Sequence, residues 1–344
     1  MKFVVIGSSA AGINAVEVLR RLRPEATIDL ISEENAPLYS RSLLSFYLAG
    51  QLPETKLLYR PNNFYQQYDI RAHVGARAIR IDPSSKQVHL ASGEKIAYDS
   101  LLIATGARSK MPQIPGIELD GIYPLRDLKD AHAIKKRLKQ APKAAILGGG
   151  LVGLKAAQAL KNCGLKVTVV VKSGRLLSQM LDTEAAKIFE SCLQQHHIDL
   201  IPGKEAVAFQ GRHSVEKIIL DDGSSLDTNL VIIGKGVKPN TELLPESAQK
   251  SHYGIPVNHF LQTNVEHLYA AGDVVETNDL ARGEKRINAL WPCAVEQGRI
   301  AATNMAGKPT AYAGSMSMNS LQFFNIPVIS MGIVSAQAPE FKEI

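Results

Sequence analysis

Two glycine-punctuated turns carry the residues best suited to chemistry. Gly7-Ser8-Ser9-Ala10-Ala11-Gly12 and Gly148-Gly149-Gly150-Leu151-Val152-Gly153 each follow a short apolar run and precede a helical pattern. In such a turn the first glycine makes a sharp strand-to-helix reversal, and a small residue two positions on lets the backbone approach a pyrophosphate. The last glycine packs the helix closely on the strand. The helix N-terminus then faces the anion with free N–H groups. The predicted contacts are Gly7, Ser9, Ala11 and Gly12 in the first turn, and Gly148, Gly150, Val152 and Gly153 in the second. Ser9 stands in place of the middle glycine and is small enough to keep the approach open. Glu33 closes the second apolar run of the first unit, where a carboxylate can accept both hydroxyls of an adenosine ribose.

The elements that position these residues occur twice. Phe3-Val4-Val5-Ile6 reads as a strand, Ile13–Leu19 as helix and Ile28-Asp29-Leu30-Ile31 as a second strand. Residues 144–171 repeat the order: Ala144-Ala145-Ile146-Leu147, the second glycine turn, a helix to about Asn162, then Val167-Thr168-Val169-Val170-Val171. Each half adds a hairpin that leads to a final apolar strand and glycine. Gly93 precedes Gly106 by thirteen residues, and Gly223 precedes Gly236 by the same thirteen. A single glycine turn is weak evidence; two with matching downstream hairpins predict an α/β chain of two Rossmann-like, three-layer dinucleotide-binding domains.

The composition agrees. The 344 residues suit two or three domains, and 45% hydrophobic with 21% charged residues excludes a disordered or fibrous chain. The net charge of +6 mildly favours anionic partners without implying nucleic acid. Lys135-Lys136-Arg137-Leu138-Lys139 reads as the wet face of a helix. Cys163, Cys192 and Cys293 are far apart with no CxxC pair, which argues against a disulfide scaffold or a metal site and predicts a cytoplasmic protein. His196-His197 reads as a solvated turn. No apolar stretch approaches the roughly 18 residues of a membrane span, and Phe3–Ile6 is too short for the core of a signal peptide.

With these motifs in view, the chain resembles the two-dinucleotide flavoprotein reductases of the pyridine nucleotide–disulfide oxidoreductase superfamily, over residues 1 to about 330. It is most similar to the branch of nitrite reductase flavoprotein domains, rubredoxin and ferredoxin reductases, and NADH oxidases. Val4-Val5-Ile6-Gly7-Ser8-Ser9-Ala10-Ala11-Gly12 resembles the FAD-pyrophosphate turn, and Leu101–Ala107, with Thr105 and Gly106, the segment that leaves the first FAD section. Ala270-Ala271-Gly272-Asp273-Val274 resembles the segment whose aspartate holds the FAD ribityl chain. Leu290–Gly298, with Trp291, resembles the helix that points its N-terminus at the flavin pyrimidine ring. The resemblance also implies FAD contacts at Arg41, Arg126 and the backbone of Ala78. It implies a glutathione reductase-like fold: FAD domain at 1–110 and 246–306, NAD(P)H domain at 111–245, and a truncated α+β interface segment at 307–344.

Departures from the family pattern refine the chemistry. The family's redox cysteine falls on Ser42, so thiol-based reduction is disfavoured. Cys293, at a helix start, is a bystander thiol in this reading, although its position would lower its pKa. Ferredoxin-reductase relatives have a lysine where this chain has Phe46 and a glutamate where it has Lys155, so Lys155 is the candidate catalytic cation. The acid of NADH-specific members is replaced by Val171 and followed by Lys172, which with Arg175 could bind a 2′-phosphate. The reading leans to NADPH, with NADH or dual use beside it; Gly236 completes the predicted nicotinamide-nucleotide contacts.

The resemblance therefore implies an FAD-dependent NAD(P)H oxidoreductase. Hydride would pass from nicotinamide to flavin N5, and electrons onward to rubredoxin, ferredoxin or a partner reductase subunit. The alternatives are an oxidase or quinone reductase, or a non-catalytic flavoprotein or electron-entry subunit. A small acidic carrier suits the basic chain. Nucleic-acid and membrane partners are not expected, and monomer and homodimer both remain open.

Overall fold

Strands whose two faces are both covered read as continuous apolar runs, and the runs that follow this pattern form two parallel sheets. The structure, a computed structural model, describes residues 1–245, 248, 251 and 253–334. Its contacts divide the chain into two compact units. One comprises Met1–Tyr39, Leu58–Arg108 and Lys238–Ser317; the other comprises Ser40–Leu57, Ser109–Val237 and Met318–Ile344.

In the first unit Lys2–Ile6 lies centrally, with Thr27–Ser32 and then Arg71–Val74 on one side, and Ser100–Ile103 and then Leu268–Ala270 on the other. All four pairings are parallel. Phe3, Val4 and Val5 are fully buried in the core beneath the helix Ala10–Leu22. The helix Trp291–Met305 packs on that helix so closely that a Cβ at Gly298 would lie 2.1 Å from the Ala11 carbonyl oxygen. Buried Asn14 joins the pair: its amide donates to the Ala10 carbonyl and Tyr59 hydroxyl, while Arg299 Nε donates to its Oδ1.

The second unit repeats this strand order. Lys143–Leu147 is central, with Lys166–Val171 and Ile198–Pro202 on one side, and Leu230–Ile233 and Ile122–Pro124 on the other. These pairings are also parallel. The helix Leu151–Asn162 follows the glycine turn. In each unit the fifth strand comes from outside the repeated stretch, after it in the first and before it in the second.

The repeat extends to fine detail. Each sheet's third strand leads to a three-stranded antiparallel meander: Ala78–Asp82, Gln87–Leu90 and Lys95–Ala97 in the first unit, and Ala206–Gln210, Lys217–Leu220 and Ser225–Asp227 in the second. Both begin with the same register shift, between Ala78 and Arg80 and between Ala206 and Ala208.

The compact units depart from the expected boundaries in four places, the smallest being Ser109 and Lys110, which group with the second unit. Residues 40–57 group with the second unit because the helix Leu44–Leu48 packs there: Cys163 Sγ donates to the Leu48 carbonyl and Lys135 Nζ lies 4.0 Å from the Tyr47 ring centroid. Lys238–Pro245 group with the first unit, where Asn240 is bonded to Thr105 and Arg108. Of the expected interface segment 307–344, residues 307–317 pack in the first unit and the hairpin Met318–Phe323/Ile326–Met331 in the second. That hairpin lies on the helix Thr183–Gln195 through Phe189 and Phe323, while His196 stacks on Phe324 at 3.6 Å. Residues 335–344 lie outside the described residues. Among the described residues no helix is long and apolar enough to cross a membrane.

Candidate functional site

Both glycine segments form tight strand-to-helix turns, for the same steric reason. Gly7 and Gly148 adopt φ of 117° and 126°, which side-chain-bearing residues rarely adopt. A Cβ there would lie 2.1 Å from the Ala104 oxygen and 2.3 Å from the Gly234 oxygen. Each turn is tied to the neighbouring strand: the Gly7 N–H donates to the Ile31 carbonyl at 2.8 Å, and the Gly148 N–H to the Val170 carbonyl at 2.9 Å. Gly12 and Gly153 press their helices onto the turns, since a Cβ would fall 1.8 Å from Gly7 O and 2.1 Å from Gly148 O. Ser9 and Gly150 are the N-caps, and neither provides a side-chain cap to its helix. At Gly150 a Cβ would meet nothing within 4 Å, leaving the open approach that a pyrophosphate needs. Ala11 is buried against Gly298, and Val152 is exposed on the first helical turn. The residues present thus fit a dinucleotide at each cradle.

Around the first cradle, Glu33 sits exposed just past the strand Thr27–Ser32, with Arg77 Nε 3.7 Å from its carboxylate. Ala78 opens the meander opposite Leu90. Gly272 adopts φ of 87°, and its N–H donates to Gln297 Oε1 at 2.8 Å. Gln297 Nε2 in turn donates to the Tyr312 hydroxyl at 3.2 Å. Buried Gln297 therefore holds the loop that carries Asp273. Its place in Glu296-Gln297-Gly298 was visible in the sequence, but its target was not. Trp291, the first residue of its helix, meets Tyr59 edge-on at 5.2 Å, and burial pushes the Tyr59 hydroxyl pKa up to about 12.

Thr105 differs from a simple ligand contact. Its hydroxyl donates to the Asn240 carbonyl at 2.7 Å, and Asn240 Nδ2 donates back to the Thr105 carbonyl at 2.9 Å. The Asn240 N–H also reaches the Gly106 carbonyl at 2.9 Å. Asn240, overlooked in the sequence, thereby clasps two chain segments at the edge of the unit.

Arg41 and Arg126 are brought to each other, in the second unit. Arg41 Nη1 donates to the Arg126 carbonyl at 2.9 Å, and the Arg126 N–H donates to Asp130 Oδ2 at 2.8 Å. Asp127 and Asp130 form a capping box on the helix Leu128–Leu138. Burial raises the Asp130 pKa to about 6, opposed by the Arg126 N–H bond and assisted by the Asp127 charge.

Lys155 lies on the helix Leu151–Asn162. Its Nζ donates to Gln158 Oε1 at 3.1 Å and to the Gln322 carbonyl at 3.0 Å, and lies 4.6 Å from the Phe46 ring centroid. Burial lowers its pKa. Ser42 lies in the 3₁₀ turn Arg41–Leu43, its Oγ 2.8 Å from Ser40 Oγ. The expectation that a helix start lowers the Cys293 pKa is corrected: burial raises it, and the hydrogen bond with Ser315 only partly offsets this.

Lys172, expected as a cation open to a phosphate, is instead ion-paired. Its Nζ contacts Glu205, whose other carboxylate oxygen accepts from Lys235 Nζ at 2.5 Å. These two bonds hold the Glu205 carboxyl below its usual range. Arg175 donates to Thr183 Oγ1 and the Ser178 carbonyl. Gly236 (φ of 84°) accepts the Lys110 N–H at its carbonyl. A cavity of about 440 Å³ in this unit is lined by Lys110, Gln113, Glu205, Ala206 and Lys235 among others, a size within the range of small-molecule sites.

Residues 1–298 match the family model described as pyridine nucleotide-disulphide oxidoreductase. The chain is 32% identical over 333 residues to the assimilatory nitrate reductase electron transfer subunit of Bacillus subtilis, covering 96% of this chain and 42% of that protein. It is 31% identical over 347 residues to the NADH-dependent phenylglyoxylate dehydrogenase subunit epsilon of Aromatoleum evansii, covering 100% of this chain and 81% of that one. The structure of an NAD-dependent persulfide reductase from A. fulgidus superposes with a TM-score of 0.93 at 29% identity, over 97% of this chain and 64% of that one. The chain thus spans less than half the length of the nitrate reductase subunit and somewhat under two thirds of the persulfide reductase.

Proposed function

The chain belongs to the pyridine nucleotide-disulphide oxidoreductase family, and from that membership we propose that it is an FAD-dependent reductase taking hydride from NADH or NADPH and handing electrons to a partner protein. The observation that carries this reading is the pair of glycine turns of matching geometry on sheets of the same strand order, one for each dinucleotide. FAD is assigned to the first unit. Gly7, Ser9, Ala11 and Gly12 receive its pyrophosphate with the first-turn N–H groups of Ala10–Leu22, and Glu33 its adenosine ribose. Ala78, Thr105 and Gly106 flank it. The Gly272-Asp273 loop, fixed by Gln297, holds the ribityl chain, and the N-terminus of Trp291–Met305 favours negative charge on the ring. The nicotinamide nucleotide is assigned to Gly148, Gly150, Val152, Gly153 and Gly236, with Lys172 at its adenosine end.

What the flavin supplies is acceptance of hydride at N5 and release of electrons to an acceptor. The chain supplies orientation and charge. With serine at position 42, onward transfer proceeds without a thiol relay. Two relatives named as subunits support a partner reductase subunit as the acceptor. The net charge of +6 supports an acidic partner, of which rubredoxin and ferredoxin are diffusible forms.

The test is anaerobic rapid mixing of the flavin-loaded protein with NADH and NADPH separately, followed by a panel of protein and small-molecule acceptors. Rapid flavin bleaching by a nicotinamide and re-oxidation by an iron–sulfur or rubredoxin-type protein is expected. Fast turnover with dioxygen alone would replace the reading with an oxidase. Protein that stays colourless after reconstitution with FAD would end it.

A further inference from the structure

The internal repeat places Glu33 and Lys172 at the same point, each immediately after the second strand of its sheet, Thr27–Ser32 and Lys166–Val171. It also places Arg77 and Glu205 at the same point. Val74-Gly75-Ala76-Arg77-Ala78 and Pro202-Gly203-Lys204-Glu205-Ala206 each leave the third strand through a positive-φ glycine and enter the meander. Val74 pairs with Ser32, and Pro202 with Val171, in matching register. In the first unit the acid is at the strand end and the base on the loop, with Arg77 Nε 3.7 Å from Glu33. In the second the base, Lys172, is at the strand end and the acid, Glu205, on the loop. The ion pair is retained with its charges exchanged.

Glu205 also lines the cavity. Ala206 and Lys235, which line it, are the counterparts of Ala78 and Thr105 in the first unit. The end of a nucleotide-binding unit's second strand is where the 2′-position of adenosine is read: a carboxylate accepts the hydroxyl, and a cation accepts a phosphate. Glu205 is partly exposed, with 27% of its side chain accessible, and is held from both sides by Lys172 and Lys235. The two lysines hold its carboxyl below the usual carboxylate range.

Resting on the reductase reading, we propose that Glu205 supplies from the loop the carboxylate missing at the strand end, and that it selects against the 2′-phosphate of NADPH. The carboxylate neutralises the two cations a phosphate would use and repels the phosphate itself. The pairing also turns the apparent phosphate signature of Val171-Lys172 into a balanced site. Glu205 thus acts as the specificity residue for the adenosine end, and the enzyme prefers NADH.

The experiment compares the flavin-loaded wild-type protein with Glu205→Gln and with the charge exchange Lys172→Glu/Glu205→Lys. Calorimetry measures binding of adenosine 2′,5′-bisphosphate and 5′-AMP, and rapid mixing gives flavin reduction by NADPH and NADH. Glu205→Gln is expected to tighten the bisphosphate about tenfold or more relative to 5′-AMP, and to move the NADPH/NADH ratio the same way, since a charge contact near the surface is worth upwards of ~1.4 kcal/mol. The gain should shrink as salt rises. The charge exchange restores the first unit's arrangement and should keep the wild-type preference. Unchanged relative affinities in a folded Glu205→Gln protein would overturn the proposal, as would a wild type that already binds the bisphosphate more tightly. Failure of both nicotinamides to reduce the flavin would instead remove the reductase reading, and the fragment affinities would still score Glu205.

Discussion

Lys155 Nζ lies 4.6 Å from the centroid of the Phe46 ring, so the two positions singled out together in the sequence touch each other. The other partners of the ammonium, Gln158 and the Gln322 carbonyl, are also neutral. None of these three partners among the described residues cancels its charge, and burial makes that charge more costly to keep. We propose that this cation is the catalytic one of the reductase reading, with the role of favouring negative charge on the reduced flavin. Lys155→Met should slow flavin reduction about tenfold and lower the flavin potential by on the order of 30 mV. Phe46→Leu, which keeps the cation, should do much less. Spectroelectrochemistry and anaerobic rapid mixing measure both quantities; a Lys155→Met protein with wild-type values for each would reject the role.

The contact between helices Ala10–Leu22 and Trp291–Met305 predicts a second effect. At Gly298 a Cβ would lie 2.1 Å from the Ala11 carbonyl oxygen, a backbone atom that cannot rotate away. Gly298→Ala must separate the helices, at a cost of about 2 kcal/mol. Because Ala11 belongs to the pyrophosphate turn, flavin retention should fall along with the melting temperature. Thermal melts and the flavin-to-protein absorbance ratio test this; loss of stability with full flavin content would uncouple the turn from the helix contact.

The elements legible in the sequence were those with local signatures. Apolar runs ending in Gly7 and Gly148 had to be buried strands followed by tight turns, and the matched spacing of Gly93–Gly106 and Gly223–Gly236 marked a hairpin in each half, though not the first strand of each meander. What stayed hidden depends on contacts between distant residues. Nothing local says that Ser40–Leu57 packs on the helix bearing Lys155, or that Asn240 engages Thr105 across 135 residues. The Lys172–Glu205 pair was missed for the same reason. Lys172 alone looks like a phosphate ligand; only the fold brings a carboxylate 33 positions away onto it.

Thiol chemistry offers a third prediction. The resemblance puts the family's redox cysteine at position 42, which is serine in this chain, and burial raises the pKa of the Cys163, Cys192 and Cys293 thiols. Thiolate is the reactive form, so none of the three is poised for electron relay. Cys293→Ser should keep acceptor turnover within about twofold of wild type, since the hydroxyl can replace the thiol in the Ser315 hydrogen bond. Steady-state assays before and after the substitution check this. A large loss of turnover with flavin reduction intact would place a sulfur on the onward path.

Asp130 predicts a pH dependence of stability in the second unit. Burial outweighs the N–H bonds from Arg126 and Asp127, raising its folded pKa from 3.8 to about 6. Below about pH 4 the group is protonated in both states and adds no difference. Between about 4 and 6 the unfolded chain loses the proton while the folded chain keeps it, so stability falls as pH rises. Above that window the cost is constant. Asp130→Asn cannot ionise, yet its carbonyl oxygen can still accept the two N–H bonds. Its stability relative to wild type should therefore rise across the window and then level off. The shift corresponds to ~3 kcal/mol at most, and screening at this half-buried side chain reduces the expected gain to on the order of 1 kcal/mol. Thermal melts at closely spaced pH values measure it. A difference independent of pH would show that Asp130 carries its proton no more tightly in the folded chain than in the unfolded one.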